Sequence, residues 1–79
     1  MKIEVGLYAT LQKYMPPGAE GRVCTLDVRD GITVQEIIDM LGVPAAITRL
    51  TLLNGHQAPP VATLMEGDKL SLFPPIGGG

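Results

Sequence analysis

The sequence closes on "LSLFPPIGGG", and its one group there with latent reactivity is the Gly79 carboxylate. Gly77, Gly78 and Gly79 present the slimmest cross-section a chain can have, so a narrow channel admits them where any Cβ would collide. Pro74 and Pro75 restrict φ and favour an extended segment. Phe73 and Pro74, each followed by proline, are held out of helix. Residues 74–79 reach about 20 Å at roughly 3.3–3.6 Å each. A carboxylate presented this way is inert until activated, most simply as a mixed anhydride with AMP. The carbonyl carbon then accepts a persulfide or thiol. The sequence holds no phosphate-binding loop, because Gly77-Gly78-Gly79 lacks the Lys-Ser/Thr pair and a following helix. ATP and Mg²⁺ are therefore expected from a partner enzyme, with no cofactor or metal held by this chain.

Other reactive side chains carry less. Cys24 is a single cysteine on the apolar face of its segment and reads as a buried, inert thiol. His56 follows an Asn-Gly turn with no second ligand nearby in sequence, and reads as an exposed loop residue. Met40 and Met65 are expected to fill gaps in the core.

Steps in the chain's pattern supply the elements that must position the tail. Residues 2–8 alternate, with Ile3, Val5 and Leu7 on one face and Gly6 and Tyr8 on the other, the period of a half-buried strand. Residues 9–21 form a loop around Pro16, Pro17 and Gly18, after a short helical turn over Thr10–Tyr14. A second strand is expected over 22–29. Val34, Ile37, Ile38 and Leu41 form a helical stripe. Thr33 and Glu36 form a capping box before it, and Gly42 and Pro44 end it. Residues 49–53 read as a third strand, followed by the Asn54-Gly55 turn. A short edge strand is expected near Gln57 or Val61, and a last strand over 69–73. One helix crossing one mixed sheet is an α+β two-layer domain. The order suits a ubiquitin-like β-grasp whose first and last strands pair in parallel at the sheet centre. The body is expected over 1–73 and a flexible tail over 74–79.

Composition narrows the function classes. The 79 residues allow one small domain, and 46% hydrophobic with 18% charged residues makes it globular with apolar surface to spare. The net charge of −2, with no cluster of Lys or Arg, argues against a nucleic-acid partner. No apolar run approaches the roughly 20 residues that cross a bilayer, so no membrane partner is expected. The absence of a visible signal peptide makes the cytoplasm the default location.

"EGDKLSLFPPIGGG" and the opening "LYATLQKY" resemble the sulfur-carrier family that contains the small subunit of molybdopterin synthase and the thiamine-pathway sulfur carrier. The molybdopterin branch typically ends F-P-P-V-[AS]-G-G. Ile76 stands at its Val position, Gly77 at its Ala/Ser position, and Gly78-Gly79 match in register. The resemblance implies a β-grasp fold with no activity of its own. It implies an adenylating enzyme of the ubiquitin-activating type acting on Gly79, and a persulfide donor that converts it to a thiocarboxylate. It also implies delivery of that sulfur to a pterin precursor inside a larger catalytic synthase subunit, in molybdenum or tungsten cofactor biosynthesis.

Phe73 is expected to face away from the helix, beside Tyr8 and Gly6, on an uncovered sheet face suited to docking. Tyr8, Phe73 and Pro75 then form a contact surface that Pro74, Ile76 and Gly77 continue toward Gly78 and Gly79. Other functions stay open on sequence, in two groups. One is a carrier for thiamine or another pathway, or a ubiquitin-like modifier joined to lysines. The other is a plain interaction module with an incidental tail.

Overall fold

A computed structural model describes residues 1–17, 19, 21–44, 47–48 and 50–75. Strand β1 spans Lys2–Leu7, a 3₁₀ turn follows over Ala9–Tyr14, and β2 covers Val23–Asp27. Helix α1 is Val34–Leu41, and β3 (Leu50–Leu53), β4 (His56–Gln57) and β5 (Lys69–Phe73) follow among the described residues. The sheet order is β2-β1-β5-β3-β4, with β1 and β5 parallel and the other neighbours antiparallel. This is the expected mixed sheet, with β5 at its centre. The second strand is shorter than the expected 22–29, and the third is described from Leu50. Strand ends fray where only one neighbour remains to pair, although the Val28 amide still donates to the Met1 carbonyl at 2.8 Å.

Alternation places Ile3, Val5 and Leu7 of β1 beside Leu70 and Leu72 of β5, and all five are buried. Val34, Ile37 and Ile38 supply the helix side of the same core. Each such aliphatic side chain contributes about 1.5–3 kcal/mol on burial, so the β1–β5 pair is the most firmly held part of the sheet.

The helix starts where its capping chemistry begins. The Thr33 hydroxyl accepts from the Glu36 amide at 3.2 Å, and the Thr33 amide donates to Glu36 Oε1 at 3.1 Å. Arg29 also bonds the Glu36 carboxylate. Gly42 ends the helix at φ 76°, a left-handed conformation that is costly for a residue with a Cβ. Asn54, at φ 52°, ties two strands together. Its side-chain oxygen accepts from the Lys69 amide and its side-chain nitrogen donates to Asp68, both at 2.9 Å.

Two core expectations are corrected. Met40 is 54% and Met65 70% exposed, so neither fills a gap. Met40 lies off the Val34–Ile37–Ile38 stripe, and Met65 precedes the turn at Glu66-Gly67, where no element covers it. Cys24 is half-buried, not buried, because β2 is an edge strand with covering on one side only.

Candidate functional site

β5 emerges from the middle of the sheet at Phe73, and the residues that fix this exit come from both its neighbours. Leu72, buried on the core face, accepts a 3.2 Å hydrogen bond from the Tyr8 amide through its carbonyl. Phe73 points to the opposite face. There its ring stacks on that of Tyr8, centroids 4.7 Å apart and planes 9° apart. Aromatic stacking of this kind contributes about 0.5–1.5 kcal/mol beyond the area it buries.

The stack needs Gly6. A Cβ at that position would lie 2.8 Å from Tyr8 Cε2 and 2.9 Å from its hydroxyl oxygen. The bare Gly6 backbone therefore lets the ring lie across β1 toward β5. Ala9, immediately after Tyr8, takes φ 52° as the chain bends from the strand into the 3₁₀ turn. Beyond Phe73, Pro74 is buried and Pro75 half-buried. Tyr8 and Phe73 thus meet on the open face, and Pro74 and Pro75 follow Phe73 in the chain. Ile76, Gly77, Gly78 and Gly79 lie outside the described residues.

Register extends this patch beyond the residues found in sequence. Leu50 pairs with Phe73 and Leu52 with Ser71, so both leucines share the open face with the aromatic stack. Val23, opposite Gly6 on β2, joins them and is 41% exposed. The signal for Leu50 and Leu52 was present but ambiguous. In "LTLL" either parity is apolar, so only the pairing partner decides which leucines face the helix. The far half of the same face carries Lys2, Glu4, Asp27 and Lys69. The open face is apolar at the tail's base and charged at the other end.

The remaining candidates do not join this patch. His56 is exposed at the β3–β4 turn. Cys24 faces the core side, and burial pushes its thiol pKa up, which favours the protonated, poorly nucleophilic form. Among the described residues no three His, Cys, Asp or Glu side chains cluster as metal ligands would. No helix among them is long and apolar enough to cross a membrane.

Comparison with known proteins places this geometry. No curated protein sequence matches the chain significantly. Among solved structures, SAMP1 from Haloferax volcanii is 27% identical, with each chain fully covered and a TM-score of 0.73. The H. volcanii protein HVO 2177 superposes at TM-score 0.76 with 24% identity, over 100% of this chain and 87% of that one. A complex of subunits 1 and 2 of the molybdopterin-converting factor from Helicobacter pylori contains a chain 21% identical, fully covered both ways, at TM-score 0.64. The fold is therefore the ubiquitin-like β-grasp, shared with a small archaeal modifier and with a molybdopterin-converting-factor protein. The family model described as Mut7-C ubiquitin matches residues 1–77, nearly the whole length, and the chain belongs to that family.

Proposed function

We propose that this protein is a sulfur carrier whose Gly79 is adenylated by a partner enzyme and converted to a thiocarboxylate, which then donates sulfur in molybdopterin biosynthesis. The observation that carries the reading is the anchored exit of β5. The tail sequence leaves a central strand beside a stacked aromatic pair and an apolar surface, so a partner that grips that surface receives Gly79 in a defined place. The solved complex of the H. pylori subunits, which shares this fold, supports a larger synthase subunit as one such partner.

The chemistry balances with the co-reactants named. The Gly79 carboxylate attacks the α-phosphorus of Mg²⁺-bound ATP, forming the acyl adenylate and releasing pyrophosphate. A persulfide sulfur on a donor protein attacks the acyl carbon and expels AMP. A thiol then cleaves the resulting acyl disulfide, leaving the thiocarboxylate and a disulfide. Within this chain, the body holds the tail's base and the apolar face binds the enzyme. The cytoplasm, where ATP and reduced thiols are abundant, is the compartment this scheme requires.

A second reading is favoured by the 27% identity with SAMP1, a protein named as a small archaeal modifier in a matching structure. The same activated Gly79 would acylate a lysine of another protein. Intact-mass spectrometry after incubation with ATP, a sulfur donor and the cognate adenylating enzyme separates the two. A gain equal to sulfur replacing oxygen supports the carrier. Attachment of the whole chain to a target supports the modifier. Unchanged mass in both overturns the use of Gly79, as does activity that survives removal of Gly78 and Gly79.

A further inference from the structure

We propose that Asn54 is a deamidation site which the folded chain holds closed, and that the carboxylate formed there undoes the joint between β3 and β5. The proposal is independent of the tail's chemistry. Asn54 is the one asparagine in the 79 residues, and Gly55 follows it. The pair turns β3 into β4, with Leu53 opposite His56 and left-handed φ values of 52° and 84°. Asparagine before glycine is prone to intramolecular attack, because no Cβ shields the following peptide nitrogen. Here the Gly55 nitrogen attacks Asn54 Cγ. A new C–N bond forms, the bond from Cγ to the amide nitrogen breaks, and ammonia leaves with the Gly55 proton. Water then opens the five-membered succinimide at either carbonyl, giving aspartate or isoaspartate. Water is the only co-reactant, and nothing is oxidised or reduced.

The fold restrains the first step. The Asn54 carboxamide is bonded at both ends to the start of β5. Its oxygen accepts from the Lys69 amide and its nitrogen donates to Asp68 Oδ1, each at 2.9 Å. The Asn54 backbone amide donates to the Lys69 carbonyl at 2.8 Å, which fixes the main chain beneath. Swinging Cγ onto the Gly55 nitrogen pulls the carboxamide off both partners. Cyclisation therefore waits on local opening of the β3–β4 turn.

The joint also distinguishes amide from acid. Asp68 uses both carboxylate oxygens, Oδ1 accepting from Asn54 and Oδ2 from the Met65 amide at 2.7 Å. A carboxylate at position 54 keeps the bond from Lys69 but has no proton for Asp68. It sets an anionic oxygen against Oδ1 where an N–H now donates, so an attraction becomes a repulsion. Aspartate tolerates the left-handed backbone as asparagine does, so the loss lies in the side chains. Isoaspartate disturbs more, since it threads an extra methylene into a two-residue turn whose pairing is Leu53 with His56. A chain that stays open long enough to deamidate therefore cannot close the joint as it was.

The test uses the full chain at neutral pH. Intact mass and peptide mapping follow replacement of the Asn54 amide NH2 by OH, in buffer and in urea. Conversion should be about tenfold or more slower in the folded protein. Asp68→Ala releases the carboxamide nitrogen, and should speed conversion in buffer while leaving the urea rate alone. Asn54→Asp should lower the folding equilibrium constant by about fivefold or more, read by chemical denaturation. Adding Asp68→Asn to that variant exchanges donor and acceptor: the new amide donates to position 54 while its oxygen still accepts from Met65. Most of the lost stability should return, although Asp68→Asn alone, which sets two NH2 groups together, costs stability. Equal conversion in buffer and urea overturns the proposal, as does an unchanged buffer rate in Asp68→Ala. So does an Asn54→Asp variant as stable as wild type, or a double variant no more stable than Asn54→Asp.

Discussion

Tyr8 follows β1 and Phe73 ends β5, two parallel strands, and their rings lie flat on each other at 4.7 Å beside the point where β5 gives way to Pro74. Each ring is partly exposed, so the pair clamps the strand's end and also offers the docking surface that the proposed function requires. A double-mutant cycle with Tyr8→Ala and Phe73→Ala should show a coupling of about 0.5–1.5 kcal/mol in unfolding free energy. On the proposed function, Phe73→Ala should also weaken binding to the proposed adenylating enzyme and synthase subunit. Titration calorimetry with the folded variant checks this, and unchanged affinity for both would remove the docking role.

Gly6 is predicted to be intolerant of a methyl group for a reason that lies two residues away. A Cβ there would meet the Tyr8 ring at 2.8 Å, so Gly6→Ala must displace the ring, at about 1–3 kcal/mol. Tyr8→Ala removes the obstacle. The double variant should therefore lose less stability than the two single losses added together, as read by chemical denaturation. Strict additivity would show that the ring does not rest on Gly6.

The start of α1 should confer a pH-dependent stability. The Glu36 carboxyl is held below its ordinary range, first by the bond from the Thr33 backbone and then by Arg29. A group with a depressed folded pKa stabilises fully above its unfolded pKa and loses that contribution as pH falls through the folded value. The stability difference between wild type and Glu36→Gln should thus be flat at neutral pH and shrink in acid, below the normal carboxylate pKa. Thr33→Ala should cost about 0.5–2 kcal/mol at neutral pH.

Cys24 should react slowly with alkylating agents. Its thiol pKa is raised by burial, so the thiolate fraction near neutral pH is smaller than in a free cysteine. The iodoacetamide rate should rise with pH along a curve displaced above that of a model thiol. A displacement below it would mark an activated cysteine and reopen a catalytic role.

What the sequence alone determined about this protein is local. Period-two alternation located β1 and β5, the Thr33–Glu36 pair located the helix start, and Gly42 and Asn54-Gly55 located its end and the β3–β4 turn. Each depends on residues within a few positions of one another, so each is legible along the chain. The apolar tail base around Tyr8 and Phe73 was legible too, because parity puts both away from the helix. The tertiary structure decided what depends on distant partners. Pairing with β5 turned Leu50 and Leu52 onto the open face, where their own sequence permits either side. Helix and loop packing left Met40 and Met65 in solvent despite their apolar character. The same topology made β2 an edge and left Cys24 half-covered. The physical reason is common to these cases: burial and register are set by whichever segment arrives from elsewhere in the chain, and a residue's neighbours in sequence carry no record of it.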